Sequence, residues 1–430
     1  MLICCVAFPW LTIPSIAHHC TLNHPANLIM SDFYMPRVGK KTLPKILGLS
    51  ASPVQTSKVS TEDLRQIERN LCATARTPKI HRSELMRYVH QPLLVRVDYP
   101  VRIPKGSHIL SALQNAFQTY DLSHDPYVLE LLKQRRDGYD VQKQIEKVSV
   151  SKKTYCRDQL KSLLTKAEAM AQELGIPCME WYMHQTVTKF AQMVGVSDSQ
   201  LLDLSVDEKS YLLNYLTRLL PAGDKWSAST PLSLEHLAQK VELLIDTLVT
   251  QSSGDAEFTC LIFVEQRAWV AVLAEILSLH PRTKGLLKVG TFVGTSQSSK
   301  RKANIATLAE PRNQQASLDQ FRTGRLNVIL ATSVLEEGID VSSCHLVICF
   351  ERPKNLKSFI QRRGRARKQE SKHIIFVPEA GSGRPVETWQ SLEEEMKKAY
   401  LDDQRQVKDA EERELQADEG KRFFEVPATG

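Results

Sequence analysis

QRRGRAR (Gln361 to Arg367) sets four fixed positive charges, Arg362, Arg363, Arg365 and Arg367, into seven positions. On a purely structural helix these side chains would repel one another, and a phosphate-rich partner answers that repulsion. Arginine suits such a partner because its planar fork stays charged and grips two oxygens at once. Where a γ-phosphoryl group is transferred, negative charge spreads over its equatorial oxygens, and a placed guanidinium is worth about 10³ to 10⁵ in rate. About twenty residues upstream stands ATSVLEEGIDV (Ala331 to Val341). Read as strand-to-helix loops or helix starts of one sheet unit, both strings fall on the edge where parallel sheets place their ligands. Asp340 and Gln361 are then placed to orient ribose, water or the arginines. A solvated basic turn is the bland reading of QRRGRAR, and it leaves the paired string upstream unexplained.

The elements that must hold these strings in place are legible around them. Strands are expected at Thr259 to Val264, Leu287 to Val293, Asn327 to Ala331, His345 to Phe350 and His373 to Val377, each bounded by turn or polar residues. Gln266 to Leu279 and Gln314 to Arg322 carry apolar residues at helical spacing, with Gly324 as a C-cap. Strand–helix alternation of this kind implies a parallel sheet covered on both faces. Asp121 to Val249 differs: Leu234, Leu237, Val241, Leu244 and Leu248 fall on one face behind a Ser233 cap. Similar stripes run through Leu160 to Leu174 and Lys209 to Leu220, so the block is read as helical core without chemistry. Residues 18 to 53 read as the tail of another α/β unit, with Lys45 to Leu49 its last strand. Val386 to Gly420 is dense in charge and reads as an exposed helix or helical pair.

Composition bounds the partners. The 430 residues, 42% of them apolar, suffice for more than one core, and a net charge of +7 permits a polyanion without demanding one. Nine scattered cysteines without a C-x-x-C pair read as reduced intracellular thiols, and within the cell the cytoplasm is expected rather than the nucleus. His18, His19, Cys20 and His24 cluster, but no second group stands at ligand spacing, so no metal site is expected. The apolar leader MLICCVAFPWLTIPSIA lacks a basic start, is broken by Pro9 and Pro14, and falls short of the about 18 apolar residues that span a bilayer. No membrane partner is expected.

ATSVLEEGIDV and QRRGRAR resemble motifs V and VI of superfamily 2 helicases, CLIFVEQR (Cys260 to Arg267) resembles motif IV, and GLSASP (Gly48 to Pro53) resembles motif III, in matching order. The helical block between them narrows the resemblance to Dicers, RNA sensors and nuclease-linked helicases. AHHCTLNHPANLIMSDFY (Ala17 to Tyr34) and RFFEVPATG (Arg422 to Gly430) are similar to fungal Dicer-like proteins, the latter to the opening of their dimerisation domain. The resemblance implies an α/β fold: a RecA-like C-terminal helicase lobe, an all-helical insertion, and a remnant of the first RecA-like lobe. It implies ATP and Mg²⁺ as cofactors of the full-length family, double-stranded RNA as partner, and a role in RNA interference and antiviral defence. Carried over by position, Arg365 is the leading arginine finger and Arg367 the second, with Gln361 beside them. Gly338, Asp340 and Arg365 would face the nucleotide, and Thr332, Ser333, Ser50 and Ser52 the RNA.

The same resemblance divides the chain into a leader (1–17), a first-lobe remnant with connector (18–120), the insertion (121–250), the second lobe (251–380), a charged arm (381–421) and the dimerisation start (422–430). Where the family carries its motif II acidic pair, this chain has Ser15 and Ile16, and Gly39 to Thr42 lacks the spacing of a phosphate loop. The expectation is a chain truncated at both ends and ATPase-silent alone, with a missing first lobe as a further partner. An ATP-independent RNA-binding fragment is the alternative. With its central strands lost, the strand Lys45 to Leu49 is expected to stand unpaired.

Overall fold

A strand that is apolar at every position needs both its faces covered, and CLIF, VILA and LVIC are such strands. In a computed structural model of the chain they form the centre of one sheet. The structure describes residues 2–4, 10–13, 17, 20–21, 24–39, 43–49, 61–73, 75–76, 90–102, 104, 106–134, 139–194, 205–253, 257–294, 304–310, 315–336, 339, 341, 343–379, 391 and 394. The chain divides into two compact units, residues 1–90 with 353–364 and 382–430, and residues 91–352 with 365–381.

The first unit holds β1 (Leu2–Cys4), β2 (Trp10–Ile13), α1 (Pro25–Ile29), β3 (Lys45–Leu49), α2 (Thr61–Leu71) and β4 (Ala75–Arg76). Its sheet order is β2-β3-β1-β4. The strand Lys45–Leu49 forms as its sequence predicts, but it is not unpaired. The apolar leader supplies neighbours on both sides, β1 antiparallel with Leu2 opposite Leu49, and β2 parallel with Trp10 opposite Lys45. Ala17, Cys20, Met30, Ile46, Ile67, Leu71 and Ala73 form a small core beneath it.

The second unit begins with β5 (Leu93–Tyr99). It continues through α3 (His108–Gln118), α4 (Pro126–Lys133), α5 (Tyr139–Ser151), α6 (Tyr155–Glu173), α7 (Ile176–Val194), α8 (Val206–Thr217) and α9 (Gln239–Ser252). The sheet region follows as β6 (Cys260–Phe263), α10 (Arg267–Leu279), β7 (Val289–Phe292), α11 (Gln315–Arg322), β8 (Val328–Ala331) and β9 (Leu346–Cys349). Next in sequence comes α12 (Leu356–Arg363), whose contacts group it with the first unit, and then β10 (Lys372–Pro378). The six strands run β5-β10-β9-β6-β8-β7, all parallel, an α/β RecA-like helicase lobe with a helical insertion between β5 and β6.

Burial follows position in the sheet. Every residue of β6, β8 and β9 is buried, whereas the edge strand β7 alternates. Gly324, at φ +73°, closes α11 as expected, its N–H donating to the Phe321 carbonyl. Residues 91–120, read as connector, carry the edge strand β5 and helix α3 and group with the second unit. The expected cap does not form. Ser233 caps no helix: its hydroxyl accepts from the Glu235 N–H, His236 takes φ +58°, and α9 starts only at Gln239 behind Ala238. No helix among the described residues is long and apolar enough to cross a membrane.

Candidate nucleotide and nucleic-acid edge of the sheet

Parallel strands deliver their C-terminal ends to one edge, where Thr332 and Ser333 follow β8, whereas the Arg365 backbone pairs with Cys344, just before β9 begins. Phe292 ends β7 and its carbonyl accepts from the Thr332 N–H at 3.3 Å, which fixes the residue that follows β8. Thr332 is buried and Ser333 is exposed at the start of a single tight turn, Ser333–Leu335, closed by the Leu335 N–H on the Thr332 carbonyl. A Cβ on Gly294 would sit 3.4 Å from the Val334 side chain, so the stretch after β7 runs close against that turn.

Arg365 is the clearest result. Its guanidinium is only 9% exposed as a residue, and it donates through one terminal nitrogen to the Glu336 carbonyl at 2.9 Å and through the other to the Ile339 carbonyl at 3.0 Å. The residue expected to reach a phosphate is thus held on the backbone of the ATSVLEEGIDV loop, joining the two strings. Its own carbonyl accepts from the Cys344 N–H at 3.1 Å, and Ala366 bridges Cys344 in parallel. Burial pushes the Cys344 thiol up to about 12, although the charges of Arg365, Arg367 and Lys368 pull the other way. Arg367, two positions on, is exposed.

Of the remaining predicted residues, one belongs to the first unit and four lie outside the described residues. Gln361 is 7% exposed in α12, which groups with the first unit, so it does not share a compact unit with Arg365. Arg362 on the same helix is 1% exposed, and the Arg363 guanidinium lies 5.6 Å over the Phe359 ring. Gly338, Asp340, Ser50 and Ser52 lie outside the described residues. So do the charged arm, apart from Ser391 and Glu394, and the C-terminal segment 422–430.

Sequence reasoning missed a buried ionic group at the same edge. Lys240 is 2% exposed with its ammonium 2.5 Å from Glu173 Oε2, and the Glu351 carboxylate accepts from the Glu265 N–H at 2.9 Å. Burial pushes the Glu351 carboxyl up to about 7 against the opposing pull of Lys240. The one sequence signal was a lysine on the apolar stripe of α9, where a charge needs a partner.

Residues 239–370 match the helicase conserved C-terminal domain family. The chain is 64% identical over 417 residues to Dicer-like protein 2 of Phaeosphaeria nodorum, covering 96% of this chain and 30% of that protein. It is 39% identical over 421 residues to Dicer-like protein 2-1 of Aspergillus niger, again 96% and 30%. The crystal structure of the Pyrococcus furiosus Hef helicase domain aligns with 88% of this chain and 72% of that one, at 18% identity and a TM-score of 0.37. The chain therefore corresponds to the helicase region of fungal Dicer-like proteins, spanning about 30% of the length of the relatives it matches.

Proposed function

We propose that this chain is the second lobe and helical insertion of an ATP-driven RNA helicase module, and that on its own it holds duplex RNA without turning over ATP. In an intact Dicer-like protein the module would serve RNA interference and antiviral defence. The observation that carries the reading is the clasp of Arg365 on the Glu336 and Ile339 carbonyls, which sets the two motif strings side by side.

Bound Mg–ATP asks for a backbone cradle for its phosphates and carboxylates for its metal. This chain has no G-x-x-x-x-G-K-[ST] stretch. Among the described residues no group of three His, Cys, Asp or Glu side chains is placed to hold a metal ion. Both terminal nitrogens of Arg365 are already engaged by carbonyl oxygens. The residues present do not fit Mg–ATP by themselves, and we assign this chain no hydrolytic step. A first lobe would supply the nucleotide, with exposed Arg367 facing it from this one and Arg365 holding the loop beside it.

RNA duplexes are read through backbone and shape. Thr332 and Ser333, past the C-terminal end of β8, and exposed Arg367 are the contacts we assign. Anisotropy of a labelled RNA duplex tests the reading. Affinity should fall steeply with salt, by about 0.9 in log K per log salt for each phosphate neutralised, with little sequence preference. Binding indifferent to salt, or RNA-stimulated ATP turnover by this chain alone, would sink the proposal.

A further inference from the structure

Lys240 sits where the chain passes from the helical insertion into the sheet, in the first turn of α9. Its ammonium is held from both sides. On the insertion side Glu173, the last residue of α6, lies 2.5 Å away. On the sheet side the ammonium stands 4.1 Å over the ring of Phe350, just past β9, and 4.6 Å over Tyr99, which ends β5. The Tyr99 hydroxyl lies 3.5 Å from the same Glu173 oxygen. Next to Phe350, the Glu351 carboxylate receives one hydrogen bond, from the Glu265 N–H, while its Oε1 is buried without any. Lys240 is the cation that acts on it.

The backbone closes the same joint. The Ala238 N–H donates to the Leu174 carbonyl at 3.0 Å. Gly175, at φ +109°, lets the α6–α7 turn approach so closely that a Cβ would lie 3.0 Å from the Ala238 nitrogen and 3.1 Å from the His236 oxygen. A buried ammonium is stable only while paired, and removing it leaves its carboxylates uncompensated in a poor dielectric. One cation thus answers two carboxylates that belong to different layers.

We propose that Lys240 is a positioning residue that locks the end of β9, the stretch preceding the arginine helix, to the turn of the insertion hairpin, so that a displacement of the insertion is felt at the ligand edge of the sheet. The inference rests on the proposed function only for what that edge serves. The groups facing Glu351 are Lys240 from α9, Glu173 from α6 and Glu265 just past β6, so the joint gains one further negative charge as Glu351 loses its proton near neutral pH.

Hydrogen exchange of the full chain, expressed as protection factors, tests the lock without nucleotide or RNA, so it can fail while the RNA titration succeeds, and the reverse. Lys240→Met should lower protection about tenfold at 174–178 and at 346–352 together while leaving 328–331 unchanged, a local opening rather than a global one. Lys240→Arg should restore both segments. Glu351→Gln should leave 174–178 protected and abolish the change in protection at 346–352 between pH 6 and 8. Loss confined to α9, loss spread evenly into β8, or an arginine variant that behaves like methionine would overturn the proposal. Should Lys240→Met fail to fold, Glu173→Gln keeps the ammonium and decides the matter. It must alter protection at 346–352, across the joint, and an effect limited to 170–176 would refute the lock.

Discussion

At Arg365 and Arg367, two arginines of one string carry opposite structural loads. Arg365 neutralises two backbone carbonyls in a buried setting, whereas Arg367 is exposed. Losing a charge-assisted donor to buried acceptors costs about 1–3 kcal/mol, while an exposed substitution stays within about 0.5 kcal/mol. In urea unfolding, Arg365→Ala should therefore lower stability by the larger amount and Arg367→Ala by almost nothing, with only the second weakening RNA binding in a fully folded protein. Equal stability losses would show that the carbonyl clasp is not formed. Glu351 gives a pH signature with a definite sign. Its folded carboxyl titrates near 7 against an ordinary 4.5, so the folded state keeps its proton longer than the unfolded chain. Its contribution is complete below about 4.5 and is lost as pH rises toward 7. Wild-type stability should decline across that window relative to Glu351→Gln, and parallel pH curves would place the carboxylate in water. Among the cysteines, burial raises the thiols of Cys20 to about 11 and Cys178 and Cys344 to about 12, and only the thiolate is nucleophilic. Native alkylation read by mass spectrometry should label exposed Cys72 well before these three.

Helices α6 and α7 form a hairpin whose turn is the tightest place in the insertion. Gly175→Ala would force φ +109° on a residue with a Cβ and press that Cβ against backbone atoms at 3.0 and 3.1 Å. Such strain costs about 1–3 kcal/mol, so its thermal midpoint should drop, and an unchanged midpoint would mean the turn can open without loss. Periodicity made these helices and the five strands from β6 to β10 legible, because continuous apolar runs and three–four spacing report the two-sided burial of a parallel sheet and the one-sided burial of a helix. LLVRVDY should have been equally legible, since Val95 and Val97 alternate with exposed Arg96 and Asp98. It gives no signal of a parallel sheet because it stands alone, about 160 residues before the next strand in sequence, and its parallel pairing with the still more distant β10 leaves no local trace. The pairing of β3 with the leader was hidden for the same reason: Trp10 and Leu2 meet Lys45 and Leu49 only through tertiary register. In QRRGRAR the residue types point to phosphate, but the clasp of Arg365 on carbonyls 29 and 26 positions upstream depends on how the loop folds back.

Across the whole molecule, the two compact units differ most in how much apolar surface they remove from water. The first unit's described core comprises Ala17, Cys20, Met30, Ile46, Ile67, Leu71 and Ala73, three of which are alanine or cysteine-sized. The second buries all of β6, β8 and β9 together with the stripes of α6, α7 and α9. At about 25 cal/mol per Å² of apolar burial, a core of a few side chains offsets the chain entropy of its elements by little. The first unit should therefore open at lower denaturant than the second. Pairing on both sides nevertheless gives the amides of β3 partners that an isolated strand would lack. Native-state hydrogen exchange with rising urea should show Ile46–Leu49 protected in water but opening first, together with α2. The amides of Leu261–Phe263, Ile329–Ala331 and Val347–Cys349 should open only with global unfolding. Exchange at Ile46–Leu49 as fast as in an unstructured peptide would mean that the leader does not pair with β3. Protection there equal to that of β6, β8 and β9 would mean that both units unfold as a single cooperative body, stabilised by more than the small core beneath β3.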